Sequence, residues 1–391
     1  MKFEFFNPVK VVMGKDSLNE LGLHTKRYGN KALLVTTGTR LKDSGLVERV
    51  KRILEKENIE TEYFHEVGNN PLTTQIDKGA EIAKKTKCDF VIGLGGGSAM
   101  DAAKGIAISA THEGGLWKYC GIGEGNDGVL TDKVLPIICI TTTSGTGSHV
   151  TPWGVFINPD TNEKPGMGGE YLFPKVSIVD PLLIASMPAR LTAATGFDVF
   201  AHALEAYTSR LSSPMTDMYA VEAIKLVGKF LVRAVKDGND NEAREGMALA
   251  DTLAGVSLSI AEVTLCHAMS HAVGGIAKVH HGEALAIMTP YVLEYSINNL
   301  PEKYKDIGVL LRNEKVQGIK NINSALTLTI QEVVKLQKNI GLDLKLSDIG
   351  VKEQDLSEIA NNTLTVTAGS VSNDYSKATY EDILMLLKKA L

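Results

Sequence analysis

From Val9 to Pro181, short unbroken apolar runs alternate with longer stretches whose apolar residues recur every third or fourth position. An apolar run too short for a helix marks a strand buried on both faces, and the three-to-four spacing marks a helix with one buried face. This pattern predicts strands over 9–13, 31–36, 59–67, 89–94, 134–140 and 176–181. Helices are predicted between them over 16–29, 43–57, 74–87 and 99–110. Strands alternating with helices of this length imply a parallel sheet covered on both faces. From Thr192 onward β-branched runs become rare and the period is helical. Helices are predicted there over 192–210, 214–236, 240–262, 264–277, 283–299, 301–310, 322–339, 353–361 and 376–390. The chain is therefore read as a Rossmann-like α/β domain over 1–185 followed by an all-α domain over 186–391. The cleft between the two is the expected active site.

Composition narrows the class. The 391 residues are 44% hydrophobic and 22% charged, ordinary for a globular protein with two substantial cores. A net charge of −5 gives no reason to expect a nucleic-acid or anionic-membrane partner. Cys88, Cys120, Cys139 and Cys266 are scattered without a Cys-x-x-Cys pair, so a reducing compartment is expected and a disulfide framework is not. The N-terminus has no apolar signal core, and a cytoplasmic location is expected.

Two loops at strand ends carry candidate chemistry. Gly95-Gly96-Gly97-Ser98 links the buried run ending at Leu94 to the helix after it. Glycines let a backbone approach a ligand closely, and the free N–H groups of a helix start favour an anion. This is phosphate-cradle chemistry, although the Gly-x-Gly-x-x-Gly fingerprint is absent. Thr141-Thr142-Thr143-Ser144-Gly145-Thr146-Gly147-Ser148 follows the next strand and offers further donors to phosphate or ribose. Residues 112–128 form a glycine-rich connection, and Asn69-Asn70-Pro71 is a turn.

Five of the nine histidines fall between Gly196 and Glu283. Asp198 and His202 are four apart, as are His267 and His271, so each pair stacks on one helix face. Their neighbours are small and apolar, among them Ala201, Ala203, Ala268 and Ala272. Buried imidazoles beside an aspartate are unfavourable unless their lone pairs are satisfied, and a divalent transition metal does that.

Gly-Phe-Asp-x3-His-Ala-x-Glu-Ala-Tyr from Gly196, with His-Ala-Met-x-His-x9-His-Gly-Glu from His267, resembles the iron-containing (group III) alcohol dehydrogenases over nearly the whole chain. The resemblance implies that Asp198, His202, His267 and His281 hold the metal. It implies that His271 stays off the metal, near the nicotinamide, as a catalytic proton relay. It also places Gly95, Gly96, Gly97 and Ser98 on the cofactor pyrophosphate, and Thr37, Gly38, Asn70, Thr141, Thr142 and Lys164 among the cofactor contacts. The chain departs from the family pattern at His149, where a glutamate is usual, and at Glu262–Cys266, where glycines are usual. It also departs at Asn373-Asp374-Tyr375 and at the extra histidine, His280. No role is carried over to His149 or His280.

The resulting expectation is a metal-dependent alcohol dehydrogenase or aldehyde reductase acting on a small alcohol or aldehyde, as a homodimer or larger homo-oligomer. Three imidazoles and a carboxylate suit Fe2+, Zn2+ or Ni2+ by ligand type, and the family name favours iron. After the first sheet strand, an uncharged Thr37 and Gly38 stand where NAD-preferring members carry an acid, with Arg40 and Lys42 close by. NADP(H) is therefore expected to be preferred and NAD(H) usable. Polyol dehydrogenase chemistry on the same fold is an alternative. So is a lyase of the dehydroquinate synthase type, but its polyanionic substrate calls for a Lys/Arg cluster that the metal motifs lack. A non-enzymatic metal-binding protein leaves the pairing of phosphate cradle and metal cluster unexplained.

Overall fold

The computed structural model describes residues 2–120, 127–161, 163–314 and 321–391. These form two compact units, Asn7–Thr143 with Ser148–Ile184, and Met1–Phe6 with Ser144–Gly147 and Ala185–Leu391. The first unit is built on eight strands: β1 (Lys10–Met13), β2 (Lys31–Thr37), β3 (Glu60–Val67), β4 (Phe90–Gly95), β5 (Ile137–Thr141), β6 (Trp153–Val155), β7 (Gly166–Gly168) and β8 (Val176–Val179). Six of them form one parallel sheet in the order β1-β8-β5-β4-β2-β3, and β6 and β7 pair as a separate antiparallel hairpin. Leu34 stands opposite Ile92, and Ile92 opposite Ile138, across the middle of the sheet.

Alternate residues of these strands enter two different apolar clusters, which is why the runs read as unbroken. Leu33, Val35, Val91 and Cys139 pack with Ile76 and Ala80 of helix α2 (Thr73–Thr86) and Ala103 and Ile106 of helix α3 (Gly97–Ser109). Leu34, Ile92, Ile138 and Ile178 pack with Val47, Val50 and Leu54 of helix α1 (Leu46–Glu55). The chain runs from β2 out to β3 and then returns to place β4 on the other side of β2. That reversal opens a crevice at the carboxyl ends of β2 and β4, where open parallel sheets take ligands.

Several predicted boundaries move for local reasons. The helix expected over 43–57 begins at Leu46, because Gly45 at φ 81° interrupts it after one turn at Arg40–Asp43. The stretch 16–29 is not one helix but three short turns, Ser17–Glu20, Leu21–Thr25 and Lys26–Tyr28. The strand expected from 134 begins after Pro136, which has no N–H to give to a ladder. The β6–β7 hairpin went unpredicted, since three-residue strands show no period. Residues 121–126 of the glycine-rich connection lie outside the described residues.

The second unit is helical. Its principal helices are α4 (Ala189–Thr208), α5 (Pro214–Lys236), α6 (Asn241–Ala261), α7 (Leu265–Ala277), α8 (His281–Ser296), α9 (Pro301–Leu311), α10 (Ile322–Ile340), α11 (Leu356–Val366), α12 (Ala368–Asn373) and α13 (Tyr380–Ala390). Helix α4 is buried without interruption from Thr192 to Thr208, surrounded by a core that includes Ile224, Leu231, Met247, Leu265, Met269 and Leu285. A helix enclosed on all sides shows little amphipathic pattern, and any polar residue on it needs an internal partner. No single helix among the described residues is long and apolar enough to cross a membrane.

Candidate metal centre and nucleotide cradle

Helix α4 supplies Asp198, His202 and Glu205, buried to 2%, 7% and 2% exposure. Offsets of four and seven residues put all three on one helix face. His267 comes from the first turn of α7, and His281 is the first residue of α8. Donor atoms of Asp198, His267 and His281 all lie within 4.8 Å of one another. Asp198 Oδ1 is the hub, 3.6 Å from His202 Nε2, 3.5 Å from His267 Nε2 and 3.9 Å from His281 Nε2. The His202 and His267 rings stack at 4.6 Å, and His271 lies beside His281 at 4.7 Å between ring centroids.

Close backbone packing makes this convergence. A Cβ added at Gly282 would sit 2.0 Å from the carbonyl oxygen of Ala194, so only glycine lets the start of α8 reach α4. The same approach is tied by Arg190 Nε donating to Glu283 Oε1 at 2.8 Å. His280 is the N-cap of α8, its Nδ1 accepting from Gly282 N at 3.2 Å. That cap starts the helix two residues before the predicted position.

The donor set fits a divalent cation. Asp198 Oδ1 and both ring nitrogens of His267 are buried and make no hydrogen bond, and orphaned polar atoms of this kind are costly unless a cation takes a lone pair. Burial lowers the pKa of His202, favouring the neutral imidazole that ligation requires. Burial also opposes charge on His267, but the Glu205 and Asp198 carboxylates outweigh it and raise its pKa to about 9.

Two further anchors flank the cluster. His202 Nδ1 lies 3.1 Å from Gly145 O. The loop holding that carbonyl is pinned by Asp251, whose Oδ1 accepts from Gly147 N at 2.8 Å. Burial pushes the Asp251 pKa up to about 7. Before α7, Glu262 adopts φ 56° and ψ 179°, a conformation nearly confined to glycine. Its Oε2 accepts from Asn373 Nδ2 at 3.0 Å, so the two departures at 262–266 and 373–375 touch each other.

In the sheet unit the predicted cofactor residues gather at the carboxyl ends of the strands. Gly95 ends β4 at φ 150°, where a Cβ would stand 2.8 Å from that of Ala99, and Gly97 and Ser98 open α3. Thr142 N donates to Gly95 O at 2.9 Å, Thr141 Oγ1 donates to Thr143 O at 2.7 Å, and Gly96 faces the Thr143 side chain. Ser98 Oγ donates to Asn69 O, and Lys164 Nζ donates to Asn70 Oδ1 at 3.0 Å. Thr37 ends β2, and Gly38 follows at φ 59° with open space on its Cβ side. His149 lies apart from this chemistry. It is fully buried, burial holds its pKa down at about 3, and its carbonyl accepts from Ser177 Oγ.

The iron-containing alcohol dehydrogenase model matches residues 8–181, and the C-terminal model of the same family matches 192–391. The chain belongs to the iron-containing alcohol dehydrogenase family. It is 37% identical over 390 residues to the 1,3-propanediol dehydrogenase of Citrobacter freundii, covering 99% of this chain and 98% of that one. It is 34% identical over 387 residues to the NAD-dependent methanol dehydrogenase of Bacillus methanolicus, covering 99% of each. Among solved structures, an archaeal halo-thermophilic Red Sea brine pool alcohol dehydrogenase superposes with a TM-score of 0.94 at 39% identity, covering 100% of both chains. As a family member the chain is a metal-dependent oxidoreductase that exchanges hydride between NAD(P)(H) and an alcohol or aldehyde.

Spacing and family motif single out Asp198, His202, His267, His271 and His281 but not Glu205, Asp251 or Gly282. Glu205 stands inside the quoted motif at offset seven from Asp198, a signal that helical spacing alone supplies. Asp251 and Gly282 act through contacts that no local pattern encodes.

Proposed function

We propose that Asp198, His202, His267 and His281 hold one divalent metal, iron by family, and that this centre reduces a small aldehyde or oxidises the matching alcohol. The observation that carries the reading is the pair of buried acceptors, Asp198 Oδ1 and His267 Nε2, without hydrogen bonds among converging imidazoles. When bound, the metal supplies Lewis acidity toward the substrate oxygen and the nicotinamide supplies or accepts the hydride. The protein's own residues orient and move protons. His271, half-buried beside His281, passes the proton between the substrate oxygen and solvent. The N–H groups at Gly95–Ser98 receive the pyrophosphate, with Asn70, Thr141, Thr142 and Lys164 around it.

The functional division falls near residue 185, with 1–185 serving the nucleotide and 186–391 the metal. At the β2 end the uncharged Thr37 and the open Gly38 leave room for a 2′-phosphate near Arg40 and Lys42. NADP(H) is thus the preferred cofactor on this reading, although the methanol dehydrogenase relative is NAD-dependent by name. Substrates are short alcohols and aldehydes of the kind named for the relatives, and the working form is a cytoplasmic homo-oligomer. The test is loss of NADPH or NADH absorbance with a panel of short aldehydes and diol-derived aldehydes, using protein loaded anaerobically with Fe(II). Turnover that depends on metal and is abolished in Asp198→Asn is expected. Equal turnover by metal-free protein overturns the proposal.

A further inference from the structure

We infer that Glu205, outside the proposed ligand set, is a positioning residue that fixes the tautomer of His267 and supplies the second negative charge of the centre. This rests on the reading that His267 is a ligand. Glu205 projects from α4 one turn after His202 and is 2% exposed. Its Oε1 accepts from His267 N at 3.0 Å, and its Oε2 accepts from Thr264 N. The same Oε2 stands 3.1 Å from His267 Nδ1, within ion-pair range although the ring is not in line for a hydrogen bond.

Three nitrogens therefore face one carboxylate. Two are backbone N–H groups at the start of α7, where Thr264 is the N-cap residue and makes no side-chain cap of its own. Glu205 takes over that capping from a neighbouring helix, and a carboxylate at a helix start is favoured by the dipole. The third facing group is a ring nitrogen. An oxygen that already accepts from Thr264 N is best matched by an Nδ1 that carries its proton. With the proton there, Nε2 presents its lone pair, and Nε2 is the nitrogen that lies 3.5 Å from Asp198 Oδ1. A carboxylate behind a ligand imidazole holds ring and tautomer and raises the basicity of the ligating nitrogen.

The charge balance supports the assignment. Asp198 and Glu205 are both buried, and their two negative charges match one divalent cation, leaving a neutral site in a low-dielectric interior. His202, by contrast, is backed by a neutral carbonyl, that of Gly145.

Glutamine at 205 offers one acceptor and an amide N–H2 to three donors, and it removes the charge. A cap that is only structural lowers the stability of the metal-free and metal-loaded forms alike and leaves the affinity of the folded protein unchanged. The experiment is chelator competition for Zn(II) with folded wild type, Glu205→Gln, Glu205→Asp and Asp198→Asn, alongside melting of each metal-free form. Glu205→Gln should lose about 10–100-fold in Zn(II) affinity, and Glu205→Asp should recover part of it. Affinity within threefold of wild type in a folded Glu205→Gln overturns the inference. If Glu205→Gln does not fold, 15N–1H spectra of the Zn(II)-loaded wild type decide. A protonated His267 Nδ1 is required, and a proton on Nε2 contradicts it. Asp198→Asn separates the two readings. Loss of Zn(II) there with retention in Glu205→Gln sinks only this inference, whereas retention in Asp198→Asn sinks the site.

Discussion

Substituting Gly282 by alanine tests how the centre is assembled without touching any proposed ligand. The added Cβ would lie 2.0 Å from Ala194 O, 2.6 Å from Ala194 C and 3.2 Å from Ala194 Cα. The obstacle is helix backbone, so no rotamer change relieves it. Reaching even 3.0 Å requires the start of α8 to withdraw from α4 by about 1 Å. His281 is the residue before, and its Nε2 already stands 3.9 Å from Asp198 Oδ1. Metal sites tolerate displacements of about 0.2 Å in donor distance, so a withdrawal of this size should take His281 out of reach of a cation shared with Asp198. Loss of an orienting partner alone weakens metal binding by ~10–100-fold, and loss of a ligand should reach at least the upper end. The metal-free protein should lose ~1–3 kcal/mol through overpacking. Chelator competition and urea unfolding measure the two effects. Gly274→Ala on α7 is the control, since a Cβ there meets nothing within 4 Å. It should gain about 0.5–1 kcal/mol as a helix-interior glycine replaced by alanine and keep its metal. Metal affinity within threefold of wild type in Gly282→Ala would refute the argument.

Other perturbations address single links. Asp251 has a folded pKa of about 7, above the ordinary carboxylate value, so the folded state binds its proton more tightly. Metal-free wild type should lose stability from this group as pH rises through roughly 4–7, by an amount on the order of 4 kcal/mol, and none from it above that window. Asp251→Asn should flatten that slope, and urea titrations showing parallel pH profiles would contradict the assignment. Thr37→Asp should swing the ratio of kcat/KM for NADH over NADPH by ~1–3 kcal/mol toward NADH. A wild type that already favours NADH tenfold or more removes the basis for the NADP(H) preference. His280→Ala should lose its cap to α8, about 1 kcal/mol by urea unfolding, and keep stoichiometric metal. If His280→Ala strips the metal and His281→Ala does not, the ligand register is off by one.

Much of the fold was legible because burial on both sheet faces writes unbroken apolar runs, as at Leu33–Val35 and Val91–Ile92. The candidate side chains stood out for different reasons: helical spacing joins Asp198 to His202 and His267 to His271, whereas His281 entered through the family resemblance. What escaped was written in contacts between elements distant in the chain. The N-cap of α8 is an imidazole, His280, and histidine is not among the side chains that usually announce a helix start. Gly282 looks like any glycine near a helix end until Ala194 is placed against it. The Ser144–Gly147 loop reads as part of a phosphate-binding stretch, yet Gly145 O meets His202 and Gly147 N meets Asp251. Glu262 resisted sequence reasoning because nothing in a glutamate signals φ 56°, only the glycines usual at that place in the family.

On the proposed reading His267 is a ligand, while His271, one turn later on the same helix, is a relay. Metal analysis of purified His267→Ala and His271→Ala, each reconstituted anaerobically with Fe(II) and desalted, tests it most directly. His267→Ala should emerge without stoichiometric metal, while His271→Ala should keep its metal and turn over slowly. Metal lost from His271→Ala, or retained by His267→Ala, would contradict it.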